Sequence, residues 1–212
     1  IGEFKEGMDE VEAVRGEFEA KIKGMTAKEI LADEGLSSYT VASAKVLFGD
    51  NCAACHGAGG QGGPGYPVIA DDDWLYGGAV ETLEQTIANG RMGVMPSHGK
   101  ILKDEEIDAL ASAIMSGNPT AEPLFMAKAC FACHGPDGKG MQVLGSANLT
   151  DSVWRFAEED QLASVKYTIK HGVNDTSDPM SRNAVMPKFG DRLSKDEIKK
   201  LAVYVYKLGG GQ

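Results

Sequence analysis

The chain has four cysteines, and they fall as Cys52-Ala53-Ala54-Cys55-His56 and Cys130-Phe131-Ala132-Cys133-His134. Two thiols three residues apart, followed at once by an imidazole, form the attachment pattern of a c-type haem. The thiols add across the two vinyl groups of the porphyrin, and the adjacent histidine becomes the proximal iron ligand. Two disulfides, a redox dithiol or half of a zinc site also use paired cysteines. None of these requires a histidine directly after the second cysteine, and here the pattern occurs twice with no thiol left over. The expectation is two covalently attached haem c groups, with His56 and His134 on the irons.

An iron used for electron transfer favours six fixed ligands, and a thioether opposite the imidazole raises its potential. Each motif is followed by one Val-Met-Pro element, Val94-Met95-Pro96 and Val185-Met186-Pro187. The proline fixes the backbone and removes an N–H, which suits an extended segment presenting a side chain. Met95 and Met186 are therefore the expected distal ligands. Met92, Met141 and Met180 lack the following proline and a counterpart in the other half, so they read as core or surface. His98 and His171 read as exposed or hydrogen-bonded rather than as ligands. Trp74 and Trp154 either flank a haem, donate an indole N–H to a propionate, or simply fill core. Arg91 suits a propionate through charge-assisted bonds. Val173 occupies the corresponding place in the second half, which predicts unequal surroundings for the two haems.

The elements that must position these residues repeat as well. Leu47-Phe48 and Leu124-Phe125 precede the motifs. Thr86-Ile87-Ala88-Asn89-Gly90-Arg91 is matched by Thr168-Ile169-Lys170-His171-Gly172-Val173. A closing helix follows each Met-Pro element: Ile107, Leu110, Ala111 and Ile114 recur at helical spacing, as do Ile198, Leu201, Ala202, Val205 and Leu208. The second opens on the capping box Ser194-Lys195-Asp196-Glu197. The second half carries an insertion at 174–184, rich in Asp, Ser and Asn. The fold class expected is all-α, with two tandem class I cytochrome c domains at 39–118 and 119–212. Before them, 1–38 reads as a charged helical segment, two helices broken near Gly24, acting as a solvated spacer. Residues 1–4 carry the reading of an expression scar.

Length and composition agree with two small domains in 212 residues. The formal charge of −10 is uneven: residues 1–38 carry 5 basic and 10 acidic groups, 39–118 carry 4 and 10, and 119–212 carry 12 and 11. That balance disfavours nucleic acid. Segments apolar enough to span a membrane are missing from the sequence as given.

With these residues in place the chain resembles the diheme subunit, subunit P, of cbb3-type cytochrome c oxidases. The likeness covers about 39–212. It is carried by the first haem motif with Leu47-Phe48, the run Asp72-Asp73-Trp74-Leu75-Tyr76-Gly77-Gly78, Asn89-Gly90-Arg91, the stretch from Cys133 to Gly140, Asn148-Leu149-Thr150-Asp151 and the two Met-Pro elements. Trp154-Arg155-Phe156-Ala157-Glu158-Glu159 departs from that family's Trp-x-x-Gly-Gly pattern. The resemblance implies an electron-transfer subunit rather than an enzyme in its own right. It would take electrons from a donor c-type cytochrome and pass them to the oxygen-reducing subunit, on the periplasmic side of the bacterial inner membrane. It also implies other oxidase subunits as partners and an N-terminal membrane anchor that is absent here. A free diheme shuttle of the c4 type is the alternative; a diheme peroxidase needs an open iron, which two distal methionines would deny it.

Overall fold

The computed structural model describes residues 2–209; Ile1, part of the suggested scar, lies outside them. Ten helices and one two-stranded ribbon appear among the described residues. Strict all-α is therefore corrected to mostly helical: β1 (Arg91–Met92) pairs antiparallel with β2 (Val185–Met186), Arg91 opposite Met186.

The charged N-terminal segment forms α1 (Gly2–Lys23) and α2 (Ala27–Ala32), broken at Gly24 as expected. Thr26 caps α2: its hydroxyl accepts from Glu29 N at 3.2 Å, and Glu29 Oε2 accepts from Thr26 N at 2.8 Å. The spacer reading fails. Ile22 and Ile30 are fully buried, and Ala27 nearly so, in one core with the C-terminal helix. A segment with few apolar positions still docks when those few share a face. Phe18 stacks on Tyr39 with ring centroids 4.6 Å apart, and Lys199 Nζ donates to the Ile22 carbonyl at 3.0 Å.

Next come α3 (Glu34–Asn51), the short α4 (Ala53–His56), α5 (Val80–Asn89) and α6 (Asp104–Met115). A 3-10 turn at Pro119–Ala121 leads into α7 (Pro123–Ala127), α8 (Phe131–His134), α9 (Gln161–His171) and α10 (Lys195–Leu208). The packing crosses the sequence repeat. Helix α10, at the end of the second half, lies along α3 and α5 of the first. Helix α6, the closing helix of the first half, lies along α9 and α7 of the second. Two cores result. One joins Phe48, Leu83, Ile87, Leu201 and Val205; the other joins Leu110, Ile114, Phe125, Val165 and Ile169. Each draws on both halves of the chain.

Two glycines mark where the chains cross. Gly90 has φ +69° and Gly172 φ +72°, a region that disfavours L side chains. A Cβ at Gly90 would strike the Met186 carbonyl, and one at Gly172 would strike the Met95 carbonyl. The methionine strand of each half thus runs tightly over the glycine that ends the helix of the other. Beyond Met186, Phe189 N donates to Ile87 O at 3.0 Å; beyond Met95, His98 N donates to Ile169 O at 3.1 Å.

Candidate functional site

Each attachment motif winds into a single helical turn. Cys52 precedes α4 and Cys55 lies within it; Cys130 precedes α8 and Cys133 lies within it. Spacing of i and i+3 puts both sulfurs of a pair on one face. No disulfide joins any of the four cysteines. Burial pushes the Cys52 thiol up to about 11 and Cys130 in the same direction, with Cys55 and Cys133 adding to each.

The histidines are oriented by backbone. His56 Nδ1 lies 3.0 Å from the Pro67 carbonyl, and His134 Nδ1 3.0 Å from the Ala147 carbonyl. A carbonyl oxygen only accepts, so Nδ1 carries the proton and donates. Nε2 is then the unprotonated nitrogen, the tautomer a metal-binding imidazole requires. Burial, above all, lowers the affinity of both rings for a second proton, which keeps them neutral.

Of the two candidate methionines, Met95 packs on the core that holds Cys130, Leu149 and Trp154. Met186 packs on the core that holds Cys52, Ile69 and Trp74. The structure therefore brings Met95 to the second motif and Met186 to the first, although each follows the other motif in sequence. Met92 and Met180 are exposed, and His171 pairs with Asp178 at 3.1 Å. His98 is half-buried on the loop beyond Met95, and its Nδ1 has no hydrogen-bond partner among the described residues.

The chain belongs to the cbb3-type cytochrome c oxidase subunit III family. That family matches residues 40–112 and 119–205. The FixP subunit of the cbb3-type cytochrome c oxidase of Azorhizobium caulinodans is 38% identical over 98% of this chain and 73% of its own length. FixP of Bradyrhizobium diazoefficiens is 38% identical over 95% of this chain and 72% of its own length, and the CcoP subunit of Rubrivivax gelatinosus 34% identical over 98% and 66%. Among the described residues no helix is long and apolar enough to cross a membrane.

Cytochrome c domains of this family imply covalently bound haem c, and the residues fit it. Beyond the thiols and neutral imidazoles, Trp74 Nε1 is buried with no acceptor within reach among the described residues. Trp154 packs on the second core. Arg91 donates from Nε to Thr86 Oγ1 at 2.9 Å, and its guanidinium lies 4.5 Å above the Tyr76 ring. It faces Met186, across the ribbon.

Three positioning cations escaped the sequence reading. Arg155 is half-buried between the halves: its Nε donates to Gly65 O at 3.2 Å, and Gly65 N donates back to Arg155 O at 2.9 Å. Its charge also reaches His56. Arg192 acts electrostatically on Cys52, and Arg182 stacks between Phe156 and Tyr167. The only sequence signal was a charge directly after the tryptophan at 154, where the repeat partner has Leu75.

Proposed function

We propose that this chain carries two haem c groups with exchanged distal ligands and relays electrons within a cbb3-type oxidase. Cys52, Cys55 and His56 hold one haem, completed by Met186. Cys130, Cys133 and His134 hold the other, completed by Met95. The repeats at 39–118 and 119–212 are two cytochrome c domains whose Met strands and closing helices have changed places. The observation that carries this reading is the pair of histidines whose Nδ1–H groups are spent on backbone carbonyls, each beside a core packed by the other half's methionine.

The haem supplies one-electron redox chemistry; the protein's task is to hold it still. His56, His134, Met95 and Met186 would supply fixed imidazole and thioether ligands, the set that suits an iron used for electron transfer. Trp74 and Arg91 stand ready to satisfy propionates, and the buried cores keep water from the ring. Ligand-holding and propionate-pairing are the roles these residues suit, those of an electron-transfer subunit rather than of an enzyme in its own right. As for the related FixP and CcoP subunits, its partners are other cbb3 oxidase subunits. A donor c-type cytochrome feeds it on the periplasmic side of the inner membrane, where an anchor outside these residues would hold it.

A single-haem variant tests the exchange. In the holoprotein with Cys52→Ala and Cys55→Ala, one haem remains, and its ferric spectrum retains the weak far-red methionine–iron band. Adding Met95→Ala is expected to abolish that band, and adding Met186→Ala to leave it. The reverse outcome rejects the exchange, and retention in both rejects methionine ligation.

A further inference from the structure

The insertion at 174–184 is tied to both methionine strands through one side chain. Asn174 sits at φ +52°, left-handed backbone that asparagine tolerates better than most residues. Its Nδ2 donates to Gly93 O at 2.7 Å and to Ala184 O at 3.2 Å, while its Oδ1 accepts from Ala184 N at 2.8 Å. Gly93 lies two residues before Met95, and Ala184 two residues before Met186. A single amide therefore spans the approach to both distal methionines.

The surroundings fix that amide in place. Asn174 N donates to Arg182 O at 2.7 Å, and Val173 exchanges two 2.9 Å backbone bonds with Met95. The next residue, Asp175, accepts from Ser97 N at 2.7 Å through Oδ2, so the Met95 strand is held on both sides of the methionine. Its other carboxylate oxygen accepts from Ser177 N and Oγ at 2.9 and 2.7 Å. Asp175 acts on the Met95 strand alone; Asn174 acts on both.

We propose that Asn174 is a shared anchor of the two distal-ligand strands, and that it couples methionine binding at one iron to methionine binding at the other. The inference rests on the proposal that Met95 and Met186 are ligands, though not on which haem each serves. When one strand lifts, Asn174 loses partners that hold its side chain in register, and its grip on the other strand weakens. Such coupling is reciprocal. Asn174 is a positioning residue here; it touches neither iron.

The test uses the holoprotein with both haems and imidazole as a competitor for the methionine site, titrated in the ferric state. Asn174→Gly keeps the left-handed backbone and removes only the amide. It is expected to raise imidazole affinity about tenfold at both haems, one buried hydrogen-bond set each. Asp175→Ala is expected to do so only at the haem served by Met95. Met186→Ala should raise imidazole affinity at the other haem in the parent protein, and should add nothing further in the Asn174→Gly background. Hydrogen exchange should show faster exchange of Ala184 N–H in Asn174→Gly, whatever the iron state.

If both far-red bands respond to the methionine substitutions yet Asn174→Gly alters one haem or neither, the anchor is refuted and the ligand assignment stands. A non-zero Met186→Ala effect that persists undiminished in Asn174→Gly likewise rejects the coupling. If the methionine substitutions leave both bands unchanged, the ligand assignment and the anchor fall together.

Discussion

The two cores follow one plan and differ in what encloses them. Around Cys52–Cys55, α10 closes on α3 and α5, and the N-terminal α1 and α2 add Ile22, Ala27 and Ile30 to the same apolar cluster. Around Cys130–Cys133, α6 closes on α9 with the 3-10 turn at Pro119–Ala121 and the short α7 beside it, and the apolar cluster is smaller. The second site compensates with polar ties: Asp175 on Ser97, Asn174 on Gly93, and Lys128 on Glu106 at 3.1 Å. The first site has the larger apolar cluster and the second leans more on a hydrogen-bonded loop, whose Asn174 reaches the Met186 strand as well. Because each closing helix belongs to the other repeat, neither site is a separable half of the chain.

The largest effects should come from the closing helices themselves. Leu201 is fully buried and Leu110 nearly so. Truncating either to alanine removes transfer energy and leaves a cavity, at a cost of about 2–5 kcal/mol. Leu201→Ala is expected to disturb the spectrum of the haem on Cys52 and Cys55, 146 positions earlier in the chain than the substitution for Cys55. Leu110→Ala should disturb the haem on Cys130 and Cys133. Visible spectra of the two variants, each taken in single-haem backgrounds, check the assignment. Leu201→Ala acting instead on the haem at Cys130 and Cys133 would overturn the exchange of closing helices.

How far was this legible beforehand? The motifs, the Val-Met-Pro elements and the helices over 107–114 and 198–208 are all periodic or spaced signals, and the structure contains those helices. The exchange left no such trace. Helix α10 presents the same apolar stripe whether it meets α9 or α5, so local pattern is silent about partner choice. The misread spacer has a similar cause: Ile22, Ala27 and Ile30 are three positions among many charges, and only the docking surface of α10 and α3 reveals their shared face. That one ring nitrogen of His98 is buried without a partner among the described residues left no trace either, because it depends on the crossing of the Met95 strand over α9. Arg155 and Asn174 act across tens of residues, a range that motif spacing does not encode.

Next in size are the crossing glycines. Gly172→Ala places a side chain in left-handed backbone, which alone costs about 1–3 kcal/mol, and drives it against the Met95 carbonyl. Gly90→Ala does the same against Met186. The backbone penalty is equal, but the second site has the smaller apolar cluster and its Met95 strand depends on Val173 next to the glycine. Gly172→Ala should therefore weaken the far-red band of its haem more than Gly90→Ala weakens the other. Equal losses would mean that the insertion contributes little rigidity to the second site.

The smallest effect separates the two closing helices at their starts and depends on pH. In α10, Ser194 Oγ accepts from Glu197 N at 3.3 Å, and Glu197 Oε2 accepts from Ser194 N at 2.8 Å. In α6, Glu106 Oε2 accepts from Lys103 N at 2.9 Å, and Lys103 has no side-chain oxygen with which to return the bond. Those backbone N–H groups are the leading cause that holds both carboxyls below the usual glutamate range. A carboxyl with a lowered folded-state pKa stabilises the fold above the unfolded-state value, and that contribution disappears as pH falls through the folded-state value. Glu197→Ala and Glu106→Ala should therefore each lower Tm at neutral pH, with the gap to the parent protein closing on acidification. Glu106→Ala should cost more, because Ser194 still caps α10 when Glu197 is gone, whereas α6 loses its only cap at Lys103 together with the Lys128 pair. Parallel thermal melts from neutral to acid pH measure both differences, and a larger loss for Glu197→Ala would show that the apolar closure of α10 leans on its polar start after all.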